Sequence, residues 1–278
     1  MSQVLLPKSL EELWSVLADH PGARLYAGGT DLLVQRRQGL IQADTLVCLE
    51  RLEELARLEE SQDELRLGAL ATHARLLEWE PLARHFPVLV SALSVLGSPP
   101  VRHMGTLGGN LVTASPAGDT LPPLYALGAR VDLLSARGRR SLAIAEFIQG
   151  PGRVDLEPGE VVARVVLKKS PAWNRQHFEK VGQRRALAIA VASLAAVLQV
   201  ENGRVLRARL AWGSLGPTVV TSPQVEAALE GGPLEPGRLQ EAARLAREAV
   251  APISDLRASA DYRRRLAGNL LLRLAQPV

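Results

Sequence analysis

The sequence predicts an α+β protein with both parallel and antiparallel sheet. Three observations point there. A strand–helix–strand run at residues 23–49 reads as a small parallel unit. Alternating apolar segments mixed with amphipathic helical stretches follow it up to about residue 170. Past Pro171, two apolar runs flank Asn202-Gly203, a strong short hairpin signal, and the remaining chain reads as helix.

Each element has its own reason. Ser9 and Glu12 have capping-box spacing, and Leu10, Leu13, Val16 and Leu17 line one face of the helix they open. Pro21-Gly22 separates it from an extended run at 23–26. A helix-like stretch at 31–38 and a second strand at 45–49 complete the unit. Residues 51–63 are charged and read as a connector, and 64–70 alternate as a strand. Thr72 is placed to cap a helix running through Trp79. One longer helix is expected over 82–96, broken by Pro99-Pro100. Residues 111–114 read as extended. Residues 131–135 and 141–144, around a turn at Arg137-Gly138, read as a hairpin, and 161–167 as a strand. Strands at 176–182, 189–200 and 204–212 precede helices at 223–230, 238–250 and 260–275.

With 278 residues, 47% hydrophobic and 22% charged, the chain can bury a sizeable core. Its 33 basic and 29 acidic residues leave a net charge of only +4, spread along the chain, which argues against nucleic acid or an anionic membrane as partner. The single cysteine, Cys48, cannot build a disulfide, a zinc site or an iron–sulfur site by itself, and within its strand it reads as a small core hydrophobe. The first ten residues lack a signal-peptide pattern, and no run approaches the ~18–20 apolar residues of a membrane span, so a soluble cytoplasmic protein is expected. Five histidines, His20, His73, His85, His103 and His177, are scattered, and no metal site is expected from them. His103, beside the second loop described next, is the one to watch.

Two glycine-rich loops organise the chain: Ala27-Gly28-Gly29-Thr30-Asp31-Leu32, and Gly105-Thr106-Leu107-Gly108-Gly109-Asn110 running on to Asp119. Paired glycines permit positive φ and let backbone N–H groups converge on an anion, and a following helix start adds its own unpaired N–H groups. A lone Gly-Gly is equally the mark of a tight turn. Two such loops, flanked by Thr30, Asp31, Thr106, Asn110, Ser115 and Asp119, suit an extended phosphate-bearing ligand such as a dinucleotide. The first loop lacks G-x-G-x-x-G, and the chain has no P-loop, H-E-x-x-H or G-x-S-x-G, so no catalytic constellation is assigned. Asp119 has a second reading, as a cap of a helix over 120–127.

Tyr26-Ala27-Gly28-Gly29-Thr30-Asp31-Leu32 and the long run from Thr106 to Asp119 resemble the two FAD-binding motifs of the flavoprotein subunit of molybdenum hydroxylases, the xanthine dehydrogenase and carbon monoxide dehydrogenase family. Lys180-Val181-Gly182-Gln183-Arg184-Arg185 resembles a third segment, and Tyr262-Arg263-Arg264-Arg265-Leu266-Ala267 a last-helix pattern. The resemblance implies a vanillyl-alcohol-oxidase-type FAD-binding domain over 1–170, with subdomains of about 1–55 and 56–170. A C-terminal domain of antiparallel sheet plus helices follows over 171–278. It also implies a function. FAD would receive electrons from [2Fe–2S] clusters of one partner subunit and pass them to NAD, a quinone or oxygen. A molybdopterin-carrying partner would hydroxylate the substrate.

Position by position, the resemblance implies that Leu25, Tyr26, Ala27, Gly28, Gly29, Thr30, Asp31 and Leu32 wrap the FAD pyrophosphate, mainly with backbone N–H groups. Thr106, Gly109 and Asn110 would extend that cradle, and Ser115 is a further cofactor-binding position. Asp119 would make a polar contact with the flavin, and Lys180 a basic one with the cofactor. Leu96, Val112 and Val162 would lie near the cofactor, the last two flanking the isoalloxazine. No catalytic or metal-binding residue carries over. Carbon monoxide dehydrogenases usually have His-Ser where this chain has Thr30-Asp31, and the benzoyl-CoA reductase branch needs four cysteines. A xanthine- or aldehyde-type complex is therefore favoured. A carbon monoxide dehydrogenase medium subunit, a self-contained FAD oxidoreductase and a non-catalytic nucleotide-binding regulator are the alternatives.

Overall fold

The computed structural model describes residues 3–184 and 187–275. Arg185, part of the third motif, lies outside them. In chain order the strands are β1 Gln3–Leu5, β2 Arg24–Tyr26, β3 Thr45–Cys48, β4 Leu58–Glu60, β5 Glu64–Gly68, β6 Arg130–Ser135, β7 Gly138–Ala143, β8 Ile148–Gly150, β9 Arg153–Val154, β10 Val161–Lys168, β11 Arg175–Gly182, β12 Ala190–Glu201, β13 Arg204–Gly213 and β14 Gly232–Pro233. The helices are α1 Leu10–Asp19, α2 Leu32–Arg37, α3 His73–Glu78, α4 Glu80–His85, α5 Pro87–Ser94, α6 Pro99–Met104, α7 Leu107–Thr113, α8 Leu121–Ala126, α9 Ile144–Phe147, α10 Pro223–Leu229, α11 Pro236–Ala249 and α12 Ala260–Leu272. The mixture is the α+β class expected. None of the described helices is long and apolar enough to cross a membrane.

The chain forms two compact units, each assembled from three stretches. The first takes Met1–Glu78, Ser98–Ala114 and Arg130–Leu167; the second takes Trp79–Gly97, Ser115–Ala129 and Lys168–Val278.

In the first unit a parallel sheet has the order β1-β3-β2, with Leu5 opposite Val47 and Tyr26 opposite Cys48. β1 was not anticipated from the sequence. Ser9 caps α1 by accepting from the Glu12 N–H at 3.2 Å, and Leu13 from that helix packs with Val47, Leu52, Leu55 and Val161. Cys48 is buried at the end of β3. A five-stranded sheet follows in the order β4-β5-β10-β6-β7. Its β6–β7 hairpin pairs Ser135 with Gly138, so the turn falls on Ala136-Arg137, one residue before the expected place.

Three local expectations are corrected. The single helix over 82–96 is two helices, because Pro87 lacks an N–H donor and fits only a first turn; it opens α5 after the chain bends at Phe86. Pro99-Pro100 begins α6 for the same reason, with Ser98 accepting from the Val101 N–H at 3.4 Å. Residues 111–113 are helical in α7, not extended. Thr106 caps that helix, and Ala114 ends it in the left-handed region at φ 44°.

In the second unit an antiparallel sheet has the order β11-β12-β13-β14. Asn202 and Gly203 at its hairpin have φ of 50° and 75°, the pattern of a type I′ turn. α10, α11 and α12 supply Val225, Leu239, Ala242, Leu266 and Leu270 to a core shared with Leu194, Leu198, Leu210 and Trp212. α5 packs on β11, and α8 on β12 and β13. Buried Arg263 of α12 donates to the Val191 and Ser214 carbonyls and to Asp255 at 2.7–3.1 Å. Ser214 is left-handed at φ 62°. Backbone N–H groups of Arg257, then the Arg263 guanidinium, hold the Asp255 carboxyl well below the usual carboxylate range. The first arginine of the last-helix pattern, Arg263, is thus a tie between sheet and helix.

Trp212 is fully buried and donates its indole N–H to the Ala267 carbonyl at 3.2 Å. Trp212→Ala should cost about 3–5 kcal/mol in denaturant unfolding, and Trp212→Phe about 1–2 kcal/mol through the lost hydrogen bond and volume. Equal stabilities for all three proteins would show that this core does not depend on the indole.

Candidate functional site

The first loop sits at the carboxyl end of β2, where ligands of open α/β sheets bind. A Cβ on Gly28 would stand 1.6 Å from the Met104 carbonyl oxygen, so only glycine permits this approach. Gly29 has φ +68°, and a Cβ there would lie 2.6 Å from Leu33 Cδ1. Leu33 closes the first helical bond, to the Gly29 carbonyl, at 3.3 Å. The N–H groups of Gly28, Gly29, Thr30, Asp31 and Leu32 donate to no acceptor among the described residues. Such a row of free donors leading into a helix is the geometry that holds phosphate. The Asp31 carboxylate is engaged elsewhere: it accepts from Gln35 Nε2 and from Thr113 Oγ1, each at 2.8 Å. Leu25 and Tyr26 lie on β2, and burial, then Cys48 and Glu50, pushes the Tyr26 phenol up to about 12.

The second loop belongs to the same unit and is zipped to residues 69–73. His73 N–H reaches the Gly105 carbonyl at 3.0 Å, Leu107 N–H that of Ala71 at 3.0 Å, and Gly108 N–H that of Ala69 at 2.8 Å. A Cβ on Gly108 would lie 2.7 Å from Ala69 Cβ, so this glycine serves close packing. Gly109 N–H donates to Thr106 Oγ1 at 3.2 Å and Asn110 N–H to the Thr106 carbonyl at 3.0 Å. The two loops therefore differ: donors stand free in the first and are engaged in the second. What the second offers is the open Cα face of exposed Gly109, the half-buried Asn110 side chain and exposed Val112.

Sequence reasoning missed His73. It singled out His103, which is exposed near the end of α6. His73 is buried, with Cδ2 and Nε2 at 3.2 and 3.4 Å from the place of a Gly105 Cβ. Its Nδ1 is buried without a hydrogen-bond partner among the described residues. Burial, then the charge of Arg102, pushes its pKa down to about 4, so the ring is neutral at neutral pH. The only hint in the sequence is its place just after the capping Thr72.

In the second unit Asp119 and Lys180 form a buried ion pair, Nζ to Oδ2 at 2.6 Å, and Nζ also donates to the Val95 carbonyl at 3.2 Å. Burial pushes the Asp119 carboxyl up to about 6, against the opposing pull of the Lys180 ammonium. Asp119 Oδ1 is buried and has no hydrogen-bond partner among the described residues. Asp119 does not cap α8, whose N-cap position is Thr120. Ser115 accepts the Ala117 N–H at 3.3 Å and so closes its own turn. Leu96 is buried after α5. In the first unit Val162 is buried at 6% exposure opposite Leu133.

These features suit particular groups. A diphosphate fits the free N–H row beside a glycine that admits no side chain, and an imide N–H would satisfy the orphaned Asp119 oxygen. Among the described residues no three metal-ligating side chains cluster.

Residues 1–169 match the family model described as the FAD binding domain in molybdopterin dehydrogenase, and residues 177–278 that of the CO dehydrogenase flavoprotein C-terminal domain. The nicotine 6-hydroxylase medium subunit of Paenarthrobacter nicotinovorans is 31% identical over 268 residues, 96% of this chain and 93% of that protein. The xanthine dehydrogenase FAD-binding subunit of Escherichia coli O157:H7 is 32% identical over 258 residues, 92% and 88% of the two chains. The crystal structure of quinoline 2-oxidoreductase from Pseudomonas putida 86 superposes with a TM-score of 0.94 at 32% identity, covering 98% of this chain and 95% of that one. With both family models matched in order, the chain belongs to the FAD-binding medium subunits of the molybdenum hydroxylases.

Proposed function

We propose that this chain is the electron-transfer subunit of a multisubunit molybdenum hydroxylase of the xanthine or aldehyde type. The observation that carries the proposal is the row of five free N–H groups at residues 28–32. FAD, when bound, supplies a carrier that can take electrons singly and release them in pairs. In this reading a [2Fe–2S] subunit delivers the electrons, a molybdopterin subunit hydroxylates the substrate, and NAD, a quinone or oxygen takes the electrons away. The relatives' names as medium or FAD-binding subunits support that arrangement.

The chain's own residues would act as follows. Gly28 to Leu32 donate backbone N–H groups to the pyrophosphate, with Leu25, Tyr26 and Ala27 leading the chain there. Asp31 ties the loop to Thr113 and so fixes the donors. Thr106 caps α7 and sets the open face of Gly109 and the Asn110 side chain towards the cofactor, while Ser115 shapes the following turn. Asp119 Oδ1 accepts a hydrogen bond from the flavin imide. Lys180 holds Oδ2 and is thereby a positioning residue. Leu96, Val112 and Val162 give the apolar surroundings. The FAD-binding domain runs over 1–170 and the C-terminal domain over 171–278.

Purification of a tagged chain from its native cells tests the assignment. Yellow protein accompanied by two further subunits carrying molybdenum and iron is expected. Turnover of a small substrate by the chain alone would make it a self-contained oxidoreductase. A colourless chain that stays colourless after FAD addition would make it a nucleotide-binding regulator.

The loop geometry ranks three glycine variants. Gly29→Val forces a side chain into a left-handed position against Leu33 and should raise the FAD dissociation constant at least tenfold. Gly28→Ala meets the Met104 carbonyl and should also lower thermal stability. Gly109→Val brings its Cβ to 3.0 Å from the capping Thr106 Oγ1, so it should lower thermal stability less than Gly28→Ala and lose FAD mainly through blocked ligand approach. FAD titration and thermal melts of the three proteins read this out, and full FAD affinity in both valine variants would reduce the loops to structural turns.

Asp119→Ala should weaken FAD binding by about 1.5–3 kcal/mol, the range for a lost charged hydrogen bond, and raise the reduction potential of the flavin that remains. The pH dependence has a definite sign. The acceptor is the carboxylate, so affinity is highest above about pH 6 and falls as acidification protonates Asp119. Asp119→Asn should lack that step. A parent titration that is flat between pH 8 and 5 would remove Asp119 from the cofactor site.

A further inference from the structure

The turn before α12, in the second unit, is braced from several sides. Asp255 Oδ1 accepts the N–H groups of Arg257 at 2.8 Å and Ala258 at 3.2 Å and the buried Arg263 guanidinium at 2.7 Å, and its Oδ2 accepts Arg257 Nη1 at 3.0 Å. Ser254 Oγ accepts the Ala260 N–H at 2.9 Å, and Ala251 N–H reaches the Leu215 carbonyl at 3.0 Å. This frame displays apolar side chains to solvent: Ile253 is 71% exposed and Leu256 89%. A second segment is tied to it. Gln183 Nε2 donates to the Arg257 carbonyl at 3.0 Å, and Arg263 joins Asp255 to the Val191 carbonyl. That segment carries exposed Leu187 and Ile189.

Four large aliphatic side chains on two tied segments make an apolar patch of the kind that marks a docking surface. Because the frame is already fixed, a partner seated on it orders little. The surrounding charge is positive. Arg257 and Arg263 share the single Asp255 carboxylate, so one of their two charges is unmatched. Arg184 donates to the Leu187 carbonyl at 3.2 Å and forms no ion pair among the described residues.

We propose that this patch docks the iron–sulfur subunit, which meets it with an apolar recess bordered by carboxylates. The proposal rests on the electron-transfer reading above. Two features select this occupant. Ile189 stands four residues before Ser193, the partner of Lys180 across β11 and β12, which is about 13 Å at strand spacing. A subunit on the patch therefore ends near the Asp119–Lys180 pair. A thiolate-ligated [2Fe–2S] centre also carries net negative charge, which the unmatched arginines attract. A second copy of this chain would instead set the same cations against each other, since a two-fold contact is self-complementary.

Size-exclusion chromatography of the tagged native complex, with iron and molybdenum analysis, tests the proposal. Ile253→Asp with Leu256→Asp should weaken retention of the iron-bearing subunit about tenfold or more and leave the melting temperature of the isolated full chain unchanged. Ile253→Ala with Leu256→Ala, which adds no charge to the turn, should weaken it in the same direction and covers the case of an aspartate variant that folds poorly. Arg184→Gln should lessen the salt dependence of retention. Leu206→Asp, an exposed position beside the Asn202-Gly203 hairpin, should change nothing. A parent chain that copurifies without iron overturns the electron-transfer reading and this surface with it. A parent complex that keeps its iron subunit in both double variants overturns the surface alone. So does loss of molybdenum with iron retained, loss of a second copy of the chain instead of the iron subunit, or equal release by Leu206→Asp.

Discussion

Gly28 lies against the Met104 carbonyl with no room for a side chain, and the cradle depends on that approach. Through it the first loop rests on the end of α6, which leads directly into the second loop. The Asp31–Thr113 hydrogen bond joins them again, one helix further on. The second loop is in turn zipped to residues 69–73 by three backbone bonds. Two of those bonds, together with the Gly109 and Asn110 N–H bonds to Thr106, engage its donors. The first loop, whose donors stand free, lies against this hydrogen-bonded segment at Met104. Rigid support for an exposed donor set is what preorganised anion binding requires.

In the proposed FAD site, backbone and side chains would share the recognition unevenly. The loop donors are amides, neutral and insensitive to pH. The Asp119–Lys180 pair is charged and buried, and a buried pair adds little net stability relative to an apolar replacement. Its geometry leaves one carboxylate oxygen unused, which a purely structural pair would not need. Arg263 in the same unit donates to two carbonyls and a carboxylate and so joins secondary structures, while its buried Nε has no partner among the described residues.

Much of this was legible in the sequence because the signals were local. Glycine pairs, the Asn202-Gly203 turn, the Ser9 cap and the long periodic helices near the C-terminus each depend on a few neighbouring residues. The misses share a different cause. Residues 111–113 are apolar or β-branched and read as strand, but the Thr106 cap and the packing of Gly108 on Ala69 impose a helix. The 82–96 stretch is apolar enough to read as one helix, and Pro87 inside it decided otherwise. Asp119 and Lys180 are 61 positions apart, so no spacing rule announces their pairing. His73 touches the second loop only because residues 69–73 and 105–108 lie side by side, which is a tertiary fact.

The chain enters and leaves each compact unit repeatedly, and this shapes how it is made. A ribosome delivers residues 79–97 and 115–129 long before the strands β11 to β13 on which α5 and α8 pack. Those early segments carry apolar faces, Val88, Leu89, Leu93, Leu121 and Leu124, that have no sheet to cover them until the last third has emerged. Neither unit corresponds to one uninterrupted stretch that could fold while the rest is still being translated. Synthesis of such a protein leaves an adhesive nascent chain for seconds at ordinary elongation rates of about 5–20 residues per second. Chaperone engagement during that interval, and low tolerance of truncation at either end, follow from the order of segments alone.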